Sequence, residues 1–239
     1  MQGTYNLWLV AFCYIIGFTW ACATFQVRDR LIAAPARRDW AWFMAGALVL
    51  GLGIWSVQFV ALLAFRVYIP LVFDIPIALA AAIPAIAACA IIITLLKDGT
   101  LSDWRSLIAA AALACGMSAT HYIATLAIRI EPGVQYDPGL SLAALAVAFG
   151  FSYVIMALTF SQKPRVSRLK MIAGAVVAAA GIFAIHWVCM LVTQFASAAI
   201  WTVAPTAIAN SALGSMIAFS AVIVLIAVTA VAAYENRAR

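Results

Sequence analysis

GMSATHYIATLA, residues 116–127, recurs as GIWSVQFVALLA at residues 53–64 and as GIFAIHWVCMLV at residues 181–192. Aligned on their first glycine, the three copies put Gln58, His121 and His186 at one position, 63 and then 65 residues apart. His121 and His186 are the only two histidines in 239 residues. A period near 65 residues, filled by two apolar runs, is a helix pair repeated three times.

The residues around the repeat decide its solvent. Hydrophobic residues make up 67% of the chain, charged residues 9%, and the mean hydropathy is +1.11, whereas a soluble domain carries roughly 25% charged residues. Apolar runs at 7–27, 43–66, 75–96, 105–128, 139–160, 171–195 and 209–234 are each long enough to cross ~30 Å of hydrocarbon as a helix rising ~1.5 Å per residue. The expectation is an all-α membrane protein, residues 1–239 forming one domain of three helix-pair repeats plus a seventh transmembrane helix. The first run lacks a basic leader and a small-residue cleavage site, so it reads as a span and not as a removable signal.

Charge orients the spans. Arg28, Arg30, Arg37 and Arg38, then Lys97 and Arg105, then Lys163, Arg165, Arg168 and Lys170, then Arg237 and Arg239 account for 12 of the 14 basic residues and fall on one side. The alternate loops hold Arg66 and Arg129, which places the N-terminus outside and the C-terminus in the cytoplasm. The net charge of +6 is scattered over short segments flanking the spans, a pattern of membrane anchors beside a lipid bilayer and not of a nucleic-acid face. Cys13, Cys22, Cys89, Cys115 and Cys189 all lie in spans and form no C-x-x-C pair, so a disulfide framework is not expected.

The repeats carry a second mark: Tyr5-Asn6, Phe73-Asp74 and Tyr136-Asp137 stand just before the odd spans. These marks share the outer face with Gln58, His121 and His186, which sit in the outer third of the even spans. Two roles are open for Asp74 and Asp137: orienting the histidines or capping helix N-termini. Small residues on the even spans, among them Gly51, Gly53, Ala110, Ala114 and Gly116, suit close helix approach in lipid.

A histidine inside a membrane is expensive unless it faces the bundle, which makes the pair a candidate site. Met190 stands four residues after His186 and Met117 four before His121, with Cys189 beside them. Imidazole with thioether and thiolate suits copper, above all Cu(I), although methionine and cysteine also serve as packing groups and the histidines as interhelical hydrogen-bond partners. Two histidines on neighbouring helices are also the axial ligands of a haem b. No P-loop, G-x-S-x-G, H-E-x-x-H or dinucleotide motif occurs, so no enzyme is expected. The seventh span lacks a lysine for a retinal Schiff base.

At the three motifs, and in stretches such as TYNLWLVAFCYIIGFTWACATF and EPGVQYDPGLSLAALAVAFGFSYVIMAL, the chain resembles the MHYT family of bacterial integral membrane sensor domains. The resemblance implies seven spans in the inner membrane and a copper site near the outer face that senses oxygen, carbon monoxide or nitric oxide. It also implies coupling to cyclic-di-GMP modules; none is expected here, so a partner polypeptide would carry the output. The family's Met-His becomes Val57-Gln58 in the first copy, Thr120-His121 in the second and Ile185-His186 in the third. Its later Gly-Met becomes Ala61-Leu62, Ala124-Thr125 and Cys189-Met190. His121, His186 and Met190 remain as family-type ligands, enough for one shared site. The competing expectation is a non-catalytic accessory subunit of a larger membrane complex that has lost most of that site.

Overall fold

A computed structural model describes residues 4–33, 40–66, 71–96, 101–160, 168–195, 200–201, 207–209 and 214. The helices are α1 (Leu7–Ala33), α2 (Trp40–Ala64), α3 (Ile75–Ala80), α4 (Ala82–Leu95), α5 (Asp103–Leu126), α6 (Pro138–Phe160) and α7 (Arg168–Leu191). With α3 and α4 counted as one stretch, six helical spans among the described residues are long and apolar enough to cross a membrane. In hydrocarbon a spanning segment must satisfy its own backbone, and a helix does so within one chain. The expected seventh span, 209–234, lies outside the described residues except for Ala209, in a strand, and Gly214.

Four spans differ from the hydropathy reading, each for a local reason. The first helix runs past Arg28 to Ala33, and Arg28 is a buried group, not a loop anchor: its Nη1 donates to the carbonyl of Thr159, at 2.6 Å, in the last turn of α6. The third span is broken at Ala81, where Pro84 withholds the N–H that would bond Ala80. There the indole of Trp55 donates to the Ala78 carbonyl at 2.9 Å. The second and sixth spans stop at Ala64 and Leu191 because the residues that follow pair as strands.

The spans form a closed ring in the order α1, α2, α4, α5, α6, α7 and back to α1, while α2, α5 and α7 also touch one another across the middle. The second helix of each repeat is therefore an inner helix, and the first helix of each stands outside, wedged between two inner ones. Glycine permits the approach. A Cβ on Gly51 would lie 2.5 Å from the Cα of Ile86, and one on Gly116 would lie 2.5 Å from the Cβ of Ala88. These are the contacts of α4 with its two inner neighbours, and no side chain fits between them.

Short antiparallel strands close the end of the bundle where the inner helices finish: β1 (Thr4–Tyr5) with β2 (Phe65–Arg66), β3 (Val72–Asp74) with β8 (Ala207–Ala209), β4 (Ile130–Glu131) with β7 (Ile200–Trp201), and β5 (Gln135–Tyr136) with β6 (Thr193–Gln194). Their register restates the repeat. Tyr5 faces Phe65, Phe73 bridges to Ile128, and Tyr136 faces Thr193. Each of these partners stands seven residues beyond Gln58, His121 or His186. The amides of Asn6 and Asp74 likewise donate to the carbonyls of Ala64 and Ala127, both at 2.8 Å. Each repeat thus ties the start of its first helix to the end of its second.

Adding a methyl to Gly51 should push α2 from α4. We expect Gly51→Ala to lower stability by about 1–3 kcal/mol. Gly150→Ala, on α6 with nothing within 4 Å of its added Cβ, should cost nothing. Unfolding midpoints in detergent compare the two, and equal midpoints would refute the close-approach account.

Candidate functional site: a buried polar triad on the bundle axis

The three inner helices bring Gln58 of α2, His121 of α5 and His186 of α7 together, all three buried to 1% exposure or less. Equivalent positions in three repeats lie at equivalent heights, so the convergence follows from the repeat itself. His186 Nδ1 donates to Gln58 Oε1 at 2.9 Å. The two imidazole rings meet edge to face, centroids 5.0 Å apart and planes at 77°. His121 Nε2 lies 3.4 Å from the hydroxyl of Thr193, which itself donates to the Cys189 carbonyl at 2.8 Å. Gln58, the degenerate member by sequence, has not left the cluster; it occupies the third place and holds a histidine.

A second layer connects the triad to the strands. The hydroxyl of Thr125 donates to the carbonyls of His121 and Tyr122, at 3.1 and 2.9 Å, and accepts from the Tyr136 hydroxyl. Burial, the largest influence, holds the Tyr136 hydroxyl above its ordinary pKa. Tyr136 therefore stays protonated and able to donate at neutral pH. Its ring stands edge-on to Tyr122 at 4.9 Å, and Tyr122 edge-on to His121 at 5.7 Å.

The other expected site residues are placed as follows. Met190 packs in the apolar cluster at the strand end, among Trp55, Phe59 and Phe73. Met117 packs in the cluster of the opposite half, with Ile185 and Cys189. The two thioethers therefore do not share one pocket. Among the described residues no three His, Cys, Asp or Glu side chains gather as a metal-holding group, so Cys189 does not complete a triad of ligands with the histidines. Asp74 accepts from the amide of Ile77 at the start of α3 and pairs with Arg129. Asp137 accepts from the amide of Leu140 at 2.8 Å at the start of α6. Both carboxylates work at helix starts, and the ring nitrogens find Gln58 and Thr193 instead. The repeat mark before α6 pointed to Tyr136 but not to its hydroxyl, and nothing pointed to Thr125; for Thr193 the one available signal was its offset of seven residues from His186.

Two features suit a ligand. Nε2 of His186, Nε2 of Gln58 and the hydroxyl of Thr120 are buried without a hydrogen-bond partner among the described residues, an uncommon state for buried polar atoms. On the side of the triad away from the strands lies an apolar cavity of about 60 Å³ to which each of the six described spans contributes, through Trp20, Val57, Ile92, Leu113, Ile155 and Ile182. The two rings stand in contact, with centroids 5.0 Å apart and no space between them for a porphyrin plane in this arrangement.

Residues 51–111 and 115–172 match the family model MHYT, described as the bacterial signalling protein N terminal repeat. The bifunctional diguanylate cyclase/cyclic di-GMP phosphodiesterase MucR of Pseudomonas aeruginosa is 31% identical over 80% of this chain and 28% of its own length. The cyclic di-GMP phosphodiesterase NbdA of the same organism is 29% identical over 77% of this chain and 24% of its own. The signaling protein YkoW of Bacillus subtilis is 24% identical over 80% of this chain and 24% of its own. The alignments thus take in only about a quarter of each relative. No solved structure matches.

The Thr125–Tyr136 contact is testable by a mutant cycle. Tyr136→Phe and Thr125→Val, which leaves the part-buried Tyr136 hydroxyl without this partner, should each cost about 1 kcal/mol. The double variant should lose less than the two effects added. Additive shifts in the detergent unfolding midpoint would show the two residues to be uncoupled.

Proposed function

The chain belongs to the MHYT family of bacterial signalling proteins, and on that premise we propose that this multi-pass membrane domain senses through one copper ion held by His121 and His186. The observation that carries the reading is the triad itself: three inner helices converge on two imidazoles that packing alone does not require, and one of them keeps a buried, unpartnered Nε2.

The donor set narrows the metal. A structural zinc site takes four ligands, magnesium and calcium take oxygen ligands, and this site offers two imidazoles with no carboxylate partner among the described residues. Imidazole with sulfur nearby suits Cu(I), and Met190 stands one helical turn from His186. A bound copper would supply a centre that changes redox state or takes up a diatomic gas. The protein's own share is to hold the two rings, exclude water and couple their positions to the inner helices.

The rest of the reading follows from charge and kinship. Basic residues gather in the segments that flank the ends opposite the strands, so the strand end and the N-terminus face outward and the C-terminus inward across a bacterial inner membrane. Ligand or redox change at the rings shifts inner-helix packing, which a protein partner reads. The Gln58–His186 hydrogen bond also favours a second reading, in which the triad only locks the inner helices of an accessory subunit in a larger complex.

Metal analysis separates the two. Protein purified in mild detergent should carry copper that a His121→Ala/His186→Ala double variant lacks, with no Soret band in its spectrum. Copper no higher than in the double variant would leave the accessory reading standing.

A further inference from the structure

The two histidines have different fixed neighbours, and those neighbours differ in what they offer. The Thr193 hydroxyl commits its single proton to the carbonyl of Cys189 at 2.8 Å, so toward His121 it offers lone pairs only. A contact at 3.4 Å to His121 Nε2 therefore requires Nε2 to carry the ring proton. The carbonyl oxygen of Gln58 is an acceptor, and its 2.9 Å contact to His186 Nδ1 requires the proton on Nδ1. Neither ring has a carboxylate partner among the described residues, and an unpaired imidazolium would be costly in this apolar interior. Each ring is accordingly neutral, with one N–H and one lone pair.

We propose that Gln58 and Thr193 are positioning residues that hold the two histidines in opposite tautomers. His186 is protonated on Nδ1 and keeps its lone pair on Nε2; His121 is protonated on Nε2 and keeps its lone pair on Nδ1. The unpartnered state of His186 Nε2 follows directly: it is a buried acceptor at the outer end of the ring, with no donor assigned to it. The side chain at the third repeat position supplies the asymmetry. A histidine at position 58 would be able to exchange donor and acceptor with His186 by moving two protons together. A carboxamide exchanges no proton with a ring, so with its oxygen turned toward Nδ1 Gln58 holds His186 in one form. Ring partners of this kind select the metal-binding nitrogen and sharpen affinity, and in that sense the proposal rests on the copper reading and assigns the nitrogen of each histidine that would face the metal.

The test reads the tautomers without metal. Protein labelled with ¹⁵N-histidine, stripped with a chelator and held in detergent, gives ring-nitrogen NMR signals that distinguish N–H from lone-pair nitrogens. His121→Asn and His186→Asn samples assign the two rings. The expected result is Nδ1–H on His186 and Nε2–H on His121. Gln58→Leu should release His186 toward the Nε2–H form while leaving His121 unchanged. Thr193→Val should release His121, and Thr193→Ser, which keeps the hydroxyl, should restore it. Gln58→Leu should also weaken Cu(I) binding about 10–100-fold.

An Nε2–H form of His186 in the wild-type protein, or tautomers unmoved by both Gln58→Leu and Thr193→Val, would overturn the proposal. If Gln58→Leu fails to give folded protein, the Thr193 pair decides by itself. Wild-type protein that shows these tautomers yet holds no copper removes the copper reading and leaves the positioning roles in place. Wild-type protein that holds copper with the opposite tautomers does the reverse.

Discussion

The hydrogen bond from His186 to Gln58 joins two helices from repeats at opposite ends of the chain, inside a medium where neither partner has water to fall back on. Breaking it would leave two polar groups in an apolar interior, at a cost larger than the bond's own net worth. That asymmetry fixes the rotation of α2 against α7. The edge-to-face contact of His186 with His121 carries the constraint on to α5. Apolar packing between lipid-soluble helices is weakly directional, because lipid tails compete for the same faces. One satisfied polar cluster at a common height gives the three inner helices an axial register that leucine and alanine alone would leave loose.

The strand end keeps that register from the other direction. Each repeat pairs the residue two before its first helix with the residue seven beyond its motif position, so the inner helices cannot slide without breaking backbone hydrogen bonds. In the third repeat the two systems merge. Thr193 is at once a strand residue paired with Tyr136 and the acceptor for His121, and Tyr136 reaches back through Thr125 to the His121 carbonyl. A change at the rings and a change at the strands are mechanically one event there. The second repeat, by contrast, ties Asp74 to Arg129 and to a helix start, which stabilises the strand end without reaching the triad.

Hydropathy made the spans legible, and the spacing of Gln58, His121 and His186 made the repeat legible, because both are properties of local sequence. Which helices stand inside was not readable that way. Leu140 and Leu142 on the outer helix α6 are exposed while Leu62 and Leu113 on inner helices are buried, and nothing in their composition separates them, since lipid and protein interior are equally apolar. The depth of Arg28 escaped for a related reason. A terminal arginine ordinarily marks the membrane boundary, whereas this one is buried with its guanidinium donating to the Thr159 carbonyl arriving from α6. The dual prospects of Asp74 and Asp137 turned on a distance that sequence does not hold. The even-helix glycines were readable as packing groups, since a residue without a side chain has few other uses in the middle of a membrane helix.

Replacing a histidine by glutamine at one of three equivalent positions changes the site's chemistry more than its shape. Three histidines on a pseudo-threefold axis would be interchangeable donors, each able to carry or release a proton. With Gln58 in place one member is fixed, one histidine answers to it, and the other answers to Thr193. The donor count falls to two while the geometry of the remaining pair becomes more determined. Loss of an imidazole and gain of order go with the same residue, so divergence from the family motif at position 58 is not by itself evidence of decay. The residues that would show decay are the neighbours that hold the rings, and in this chain both ring-holding contacts are intact.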